Sequence, residues 1–218
     1  MKVDLIWATE HGDELASRIA RVSNPSNQNN KETAHKLLKH LIKQGHWSPF
    51  EMINMCVGIE TTRDIGRQIL RHRSFSFQEF SQRYQNITEL PQAPLRELRL
   101  QDSKNRQSSI PVEDVALKAF WDSAQREIYD ITMKIYQNAL KKGIAKEQAR
   151  AILPEGLTST RIYMNGTVRS WIHFLRSRLE PGAQKEIRDI ANEVANILSV
   201  TFPSMYDVVE DYIYGGQL

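Results

Sequence analysis

An α+β fold is the class that this sequence predicts: a helix-rich single domain over residues 1–218, built around a small central sheet. Three observations carry that expectation. Apolar residues recur at helical spacing over most of the chain, above all over 112–142, 167–179 and 184–201. Alternating apolar runs are few and short, and they are distributed through the chain among the helices. A length of 218 residues suits one domain with a sizeable core, or at most two small ones.

In chain order, Val3 to Trp7 alternates and predicts a strand, and Asp13 to Arg21 has helical spacing that ends before the polar run NPSNQNN. Residues 31–44 form a helix with Leu37, Leu38, Leu41 and Ile42 on one face, and Gly45 stops it. In His46-Trp47-Ser48-Pro49-Phe50-Glu51 the Ser-Pro-x-Glu spacing has the form of a capping box. Directly after it Ile53, Met55, Val57 and Ile59 alternate, which predicts a strand into Thr61. A helix from Thr62 to about His72 follows. From Asn86 to Pro111 the chain is polar and proline-punctuated, and a connection of that length is usually functional or mobile. Residues 112–142 give the longest helical pattern, through Val115, Phe120, Ile128, Ile131, Ile135 and Leu140, closed by Gly143. A shorter helix over 146–153 contains Arg150 and stops at Pro154. Leu157 to Met164 reads as a strand, and 167–179, 184–201 and the segment FPSMYDVVEDYIY as helices.

Composition narrows the function classes. The net charge of +3 is too mild for bulk nucleic-acid binding, so the arginines serve a local purpose. The single cysteine, Cys56, excludes a disulfide framework and a CxxC metal site; within an apolar strand it reads as a buried thiol. No apolar stretch approaches membrane-spanning length, and the N-terminus turns acidic too soon for a signal peptide, so a soluble cytoplasmic protein is expected. The six histidines show no metal spacing, and GxGxxG, Walker A, HExxH and GxSxG are all absent.

The chemistry concentrates in RHRSFSFQEFSQRY, residues 71–84. Arg71, His72, Arg73, Glu79, Ser81 and Arg83 supply guanidiniums, an imidazole, a carboxylate and a hydroxyl, a set suited to an anionic planar ligand. Three charged contacts at roughly 1.5–3 kcal/mol each approach the roughly 8 kcal/mol of micromolar binding. Upstream, Arg63, Arg67 and Arg71 recur every four residues with Gln68 beside them, a like-charged row that an anion would relieve. A solvated basic helix end is the plainer account of the same residues. The helix at 167–179 places Arg169, His173 and Arg176 on one face, whereas Arg178 points to roughly the opposite side. That opposition suggests a site shared between subunits; cations offsetting a helix dipole are the alternative.

The run R-H-R-x7-S from Arg71 to Ser81 resembles the signature of the flavin-dependent thymidylate synthases. HWSPFE at 46–51, RQILRHR at 67–73, QEFSQRY at 78–84, Ala149-Arg150 before Leu153-Pro154, and VRSWIHFLRSR followed by AQKEIR agree in the same order. The resemblance covers nearly the whole chain. It implies reductive methylation of dUMP to dTMP, with 5,10-methylenetetrahydrofolate as carbon donor and FAD reduced by NADPH, in a homotetramer with shared active sites. It further implies FAD contacts at His46, Ser48, Arg71, His72, Arg73, Glu79, Thr167, Arg169 and His173. For dUMP it implies Gln68, Arg71, Glu79, Ser81, Gln82, Arg83, Arg150 and Arg178, with Arg178 polarising the uracil ring as the catalytic residue. No metal, nucleic acid or membrane is implied, nor a cysteine nucleophile. The sequence departs from the family pattern in having His173 where asparagine is common and Gly182 where many members have histidine. A non-catalytic nucleotide or RNA-binding module, sensitive to salt, and an assembly scaffold with a basic interface are the competing classes.

Overall fold

The protein is described by a computed structural model covering residues 1–214, so the last four residues of the expected domain lie outside the described residues. The described residues are helix-rich, as the apolar periodicity predicts, with a small four-stranded sheet and a separate two-stranded one. Four strands, β1 (Lys2–Ala8), β2 (Asn54–Thr62), β3 (Ser76–Glu79) and β6 (Ser159–Thr167), form a sheet of order β1-β2-β6-β3. The residues separate into two compact units. One comprises Val3–Gly58, His72–Phe77 and the described residues from Tyr163 onward, the other Met1–Lys2, Ile59–Arg71 and Gln78–Ile162.

In the first unit the core forms where the inward side of β2 meets α6 (Val168–Arg178). Met55, Val57, Trp171, Phe174 and Leu175 are fully buried. Trp171 donates its indole N–H to the Met55 carbonyl at 3.0 Å, so the largest core ring leaves no polar atom unpaired. Thr167 caps α6 by accepting from the Ser170 amide. Behind it α7 (Lys185–Thr201) buries Ile187, Ile190, Ala191, Val194 and Leu198, the i, i+3, i+4, i+7 row of an amphipathic helix. Each such aliphatic side chain contributes about 1.5–3 kcal/mol on burial. The helices α1 (Gly12–Ala20), α2 (Ala34–Lys43) and α8 (Pro203–Tyr214) complete this unit. Gly45 ends α2 with φ of +70°, a conformation that glycine adopts without strain. The capping box expected at Ser48 does not form: Ser48–Glu51 is a 3-10 turn without a side-chain cap. Pro49 fills a first-turn position, where no N–H is required.

In the second unit α3 (Arg63–Ile69) is shorter than the expected helix, ending before Arg71 and His72. The 86–111 connection contains a hairpin that the sequence reading missed, β4 (Arg99–Gln101) paired antiparallel with β5 (Ser109–Pro111), Leu100 opposite Ile110. Three-residue strands are too short for periodicity to register. α4 (Val115–Lys141) starts at an Asp114 cap that accepts from the Leu117 amide. Tyr136 of α4 packs with Ile87 and Ala149, the latter from α5 (Lys146–Ala149). The opposite face of α4 departs from the core role that its apolar spacing suggests. Phe120, Ile128, Ile131 and Ile135 fall within about 80° of one another at 100° per residue, and each is about half or more exposed.

Candidate active site

The motif residues divide between the two units. Gln68, Arg71, Glu79, Ser81, Gln82, Arg83 and Arg150 belong to the second; His46, Ser48, His72, Arg73, Thr167, Arg169, His173 and Arg178 belong to the first.

In the first unit His72 follows directly on Arg71 and is half-buried, its ring edge-on to Phe174 with centroids 5.0 Å apart. Arg178, near the end of α6, donates its Nε–H to His72 Nε2 at 2.8 Å. An imidazole nitrogen accepts only when it carries no proton, so this bond assigns His72 the neutral form with its hydrogen on Nδ1. Burial and, after it, the neighbouring Arg178 charge hold the His72 pKa down at about 4. In turn the bond fixes the plane of the Arg178 guanidinium. On the other side of α6, Arg169 forms an ion pair with Glu51, and His173 lies against Trp47 with ring centroids 4.9 Å apart. Arg176 bonds the Tyr212 hydroxyl and sits 4.6 Å from the centre of that ring. The two faces of α6 thus do separate work, as the angle between Arg169 and Arg178 implies. The His173 pKa is lowered by burial and then by Arg169 and Arg176. His46 and Ser48 are exposed on the turn that carries Trp47, and Arg73 is exposed beyond His72.

In the second unit Glu79 accepts from Thr160 Oγ1 at 2.8 Å and from Arg63 Nη1 at 3.3 Å. Arg67 pairs with Glu155. The arginine row of α3 is therefore relieved largely by two protein carboxylates, not by an external anion, while Arg71 stays exposed past the helix end. Ser81, Gln82 and Arg83 come in one turn, in which Ser81 is half-buried and Arg83 reaches Glu147 at 3.4 Å. Lys146 donates to the Tyr84 carbonyl at 2.8 Å, tying the start of α5 to this turn, and half-buried Arg150 follows α5 directly. Gln82 is 4% exposed, and its Nε2 has no partner in the chain. A buried unsatisfied amide costs about 1–3 kcal/mol unless something accepts from it.

Sequence reasoning missed Glu51, Glu155, Trp47 and Asn165. The two glutamates lie 118 and 88 residues from their arginines, beyond any local pattern. Asn165 left a faint signal, a polar side chain on β6 two residues before Thr167; its Oδ1 is buried without a partner. Cys56 is buried and burial raises its pKa, as expected of a packed thiol. Among the described residues no group of three or more histidine, cysteine or acidic residues could hold a metal, and no helix is long and apolar enough to cross a membrane.

Comparison with known proteins identifies the family. The family described as thymidylate synthase complementing protein matches residues 4–204. A probable flavin-dependent thymidylate synthase of Paramecium bursaria Chlorella virus 1 is 48% identical over 193 residues, 88% of each chain. The flavin-dependent thymidylate synthase of Synechocystis is 47% identical over 196 residues, 90% of this chain and 88% of the relative. A solved structure of the UMP/dUMP methylase PolB from Streptomyces cacaoi, bound with 5-Br dUMP, superposes with a TM-score of 0.83 over 95% of this chain and 93% of the other. At 24% identity that likeness speaks for the fold. With the family match running through both units and two relatives near half identity over most of their length, the chain belongs to the flavin-dependent thymidylate synthase family.

Proposed function

We propose that this protein is a thymidylate synthase that methylates dUMP to dTMP with FAD, taking its carbon from 5,10-methylenetetrahydrofolate and its electrons from NADPH. The methylene carbon bonds to uracil C5, the C5 proton leaves, the carbon–nitrogen bond to the folate breaks to release tetrahydrofolate, and a hydride then converts the methylene left on C5 into methyl. The observation that carries this reading is the turn Ser81-Gln82-Arg83, where a buried amide donor without a protein partner lies between a hydroxyl and a guanidinium. Hydrogen-bond donors and positive charge gathered on one turn fit a nucleotide phosphate.

Arg71, Arg83 and Arg150 supply charge for dUMP, and Gln68, Glu79, Ser81 and Gln82 supply hydrogen bonds. For the flavin dinucleotide, Arg73 and Arg169 suit the diphosphate, and neutral His72 with His46, His173, Ser48 and Thr167 offers polar contacts; the family resemblance also assigns Arg71 and Glu79 to the cofactor. The unpartnered Asn165 Oδ1 adds an acceptor, which a flavin ring N–H requires. FAD, when bound, supplies hydride transfer that no side chain can perform. Arg178, oriented by His72, stabilises negative charge developing on the uracil ring, a contribution of about 3–4 kcal/mol for one well-placed donor. Ser81 binds and does not attack, since an unactivated hydroxyl is a weak nucleophile.

The whole chain acts as one synthase domain, working as a soluble cytoplasmic homotetramer with shared sites. The exposed Phe120, Ile128, Ile131 and Ile135 row on α4, with Leu5, Ile6 and Trp7 on β1, supports assembly, because monomers rarely leave such apolar surface in water. The test is the visible spectrum of the purified protein during anaerobic NADPH addition, with and without dUMP, followed by product analysis. A flavin band that bleaches and responds to dUMP, with dTMP formed once folate is added, is expected. A colourless protein that takes up no added FAD overturns the reading.

A further inference from the structure

We propose that Arg96, in the long 86–111 connection, is a positioning residue for the nucleotide site; this rests on the synthase reading. Its side chain and its backbone are engaged on two different helices. Nη2 donates to Thr62 Oγ1 at 2.8 Å and to both carboxylate oxygens of Asp64 at 3.0 Å. Thr62 Oγ1 in turn bonds Asp64 Oδ1, closing a three-residue cluster at the start of α3. The Arg96 amide donates to Gln125 Oε1 at 2.7 Å, while its carbonyl accepts from Gln125 Nε2 at 3.0 Å and from Trp121 Nε1 at 2.9 Å. Gln125 is 5% exposed; both ends of its amide bond Arg96, and Nε2 also donates to the Trp121 carbonyl at 3.4 Å.

Arg96 thereby ties the first turn of α3 to the middle of α4. Asp64 and Gln68 stand one turn apart on the same face of α3, and Arg71 continues that spacing just past the helix end. α3 has only seven residues, so a shift at its first turn passes undamped to Gln68 and Arg71. The guanidinium side chain is 16% exposed and Asp64 34%, so the pair is shielded and its two-oxygen geometry directional. All three contacts come from the single nitrogen Nη2, so lysine can bring its charge and some of these hydrogen bonds but not the stiff, planar guanidinium that aims them. The connection that its length marks as mobile is thus anchored at its centre.

The test is steady-state kinetics of the flavin-loaded protein carrying Arg96→Met or Arg96→Lys, beside Tyr136→Leu as a control matched for lost thermal stability in the same unit. Expected for Arg96→Met is a dUMP KM raised about tenfold, with kcat within about threefold and flavin affinity unchanged, since sub-ångström misplacement of binding groups is costly. Arg96→Lys recovers part of the KM, and Tyr136→Leu leaves it unaltered. Should Arg96→Met not fold, the lysine variant carries the comparison, with an expected KM raised about threefold to tenfold. An active wild type whose folded Arg96 variants keep the dUMP KM within about twofold, or a control that raises it equally, overturns the positioning role alone. A wild type that forms no dTMP overturns the synthase reading with it.

Discussion

Replacing His72 with glutamine tests the electrostatic core of the site. Glutamine retains an acceptor for Arg178 Nε but cannot titrate, so it removes one property and keeps the contact. In the folded chain the His72 pKa is held at about 4, against 6.5 for the free side chain, first by burial and then by Arg178. Between those values the unfolded chain binds more protons than the folded one, so stability falls as pH falls through the window and is fully present above 6.5. The gap corresponds to about 3 kcal/mol; partial exposure of the ring screens this to about 2 kcal/mol. About 1 kcal/mol of that is spent by pH 5. Urea unfolding of flavin-free protein at pH 7 and pH 5, at one protein concentration, measures the slope for wild type and His72→Gln. Carboxylates elsewhere act equally in both proteins, so the difference isolates His72. The variant should lose about 1 kcal/mol less than wild type on acidification. A second arm, Arg178→Met, should raise the His72 titration seen by NMR yet leave it below 6.5, because burial is the larger cause. Equal pH slopes in the two proteins, or a His72 that titrates normally in the wild type, would refute the reasoning.

Arg178→Ala should abolish dTMP formation while leaving FAD bound; equal loss of the flavin absorbance means that its role is cofactor binding. Gln82→Leu should weaken dUMP binding about 10–100-fold in calorimetry, from about 1.5–3 kcal/mol for a hydrogen bond to a charged group, and an unchanged affinity would remove Gln82 from the phosphate site. Cys56→Ala should keep full turnover and cost about 1 kcal/mol of stability through the small cavity left behind. The double substitution Phe120→Asp and Ile131→Lys should lower the sedimentation mass from that of a tetramer, and an unchanged mass would place the subunit contacts elsewhere.

Much of this was legible from residue order, because it follows from local physics. The helices over 184–201 and 167–179 announce themselves by apolar spacing, and Gly45 and Gly143 by the φ each supplies, +70° and +82°. The RHR run and the turn at 81–83 were legible as chemistry, since guanidiniums and hydroxyls in that density have few uses. The sequence also revealed that Arg169 and Arg178 face apart, a consequence of the helical repeat alone. Tertiary structure decided the partners. Which carboxylate neutralises Arg67, which ring meets His173, and that His72 accepts from Arg178 106 residues away depend on folding distant segments together. It also decided that one apolar face of α4 is left uncovered by the chain itself and that the 86–111 connection is pinned through Arg96. Periodicity reports that a side chain is apolar or polar, whereas burial, pairing and protonation are set by what the fold brings within a few ångströms.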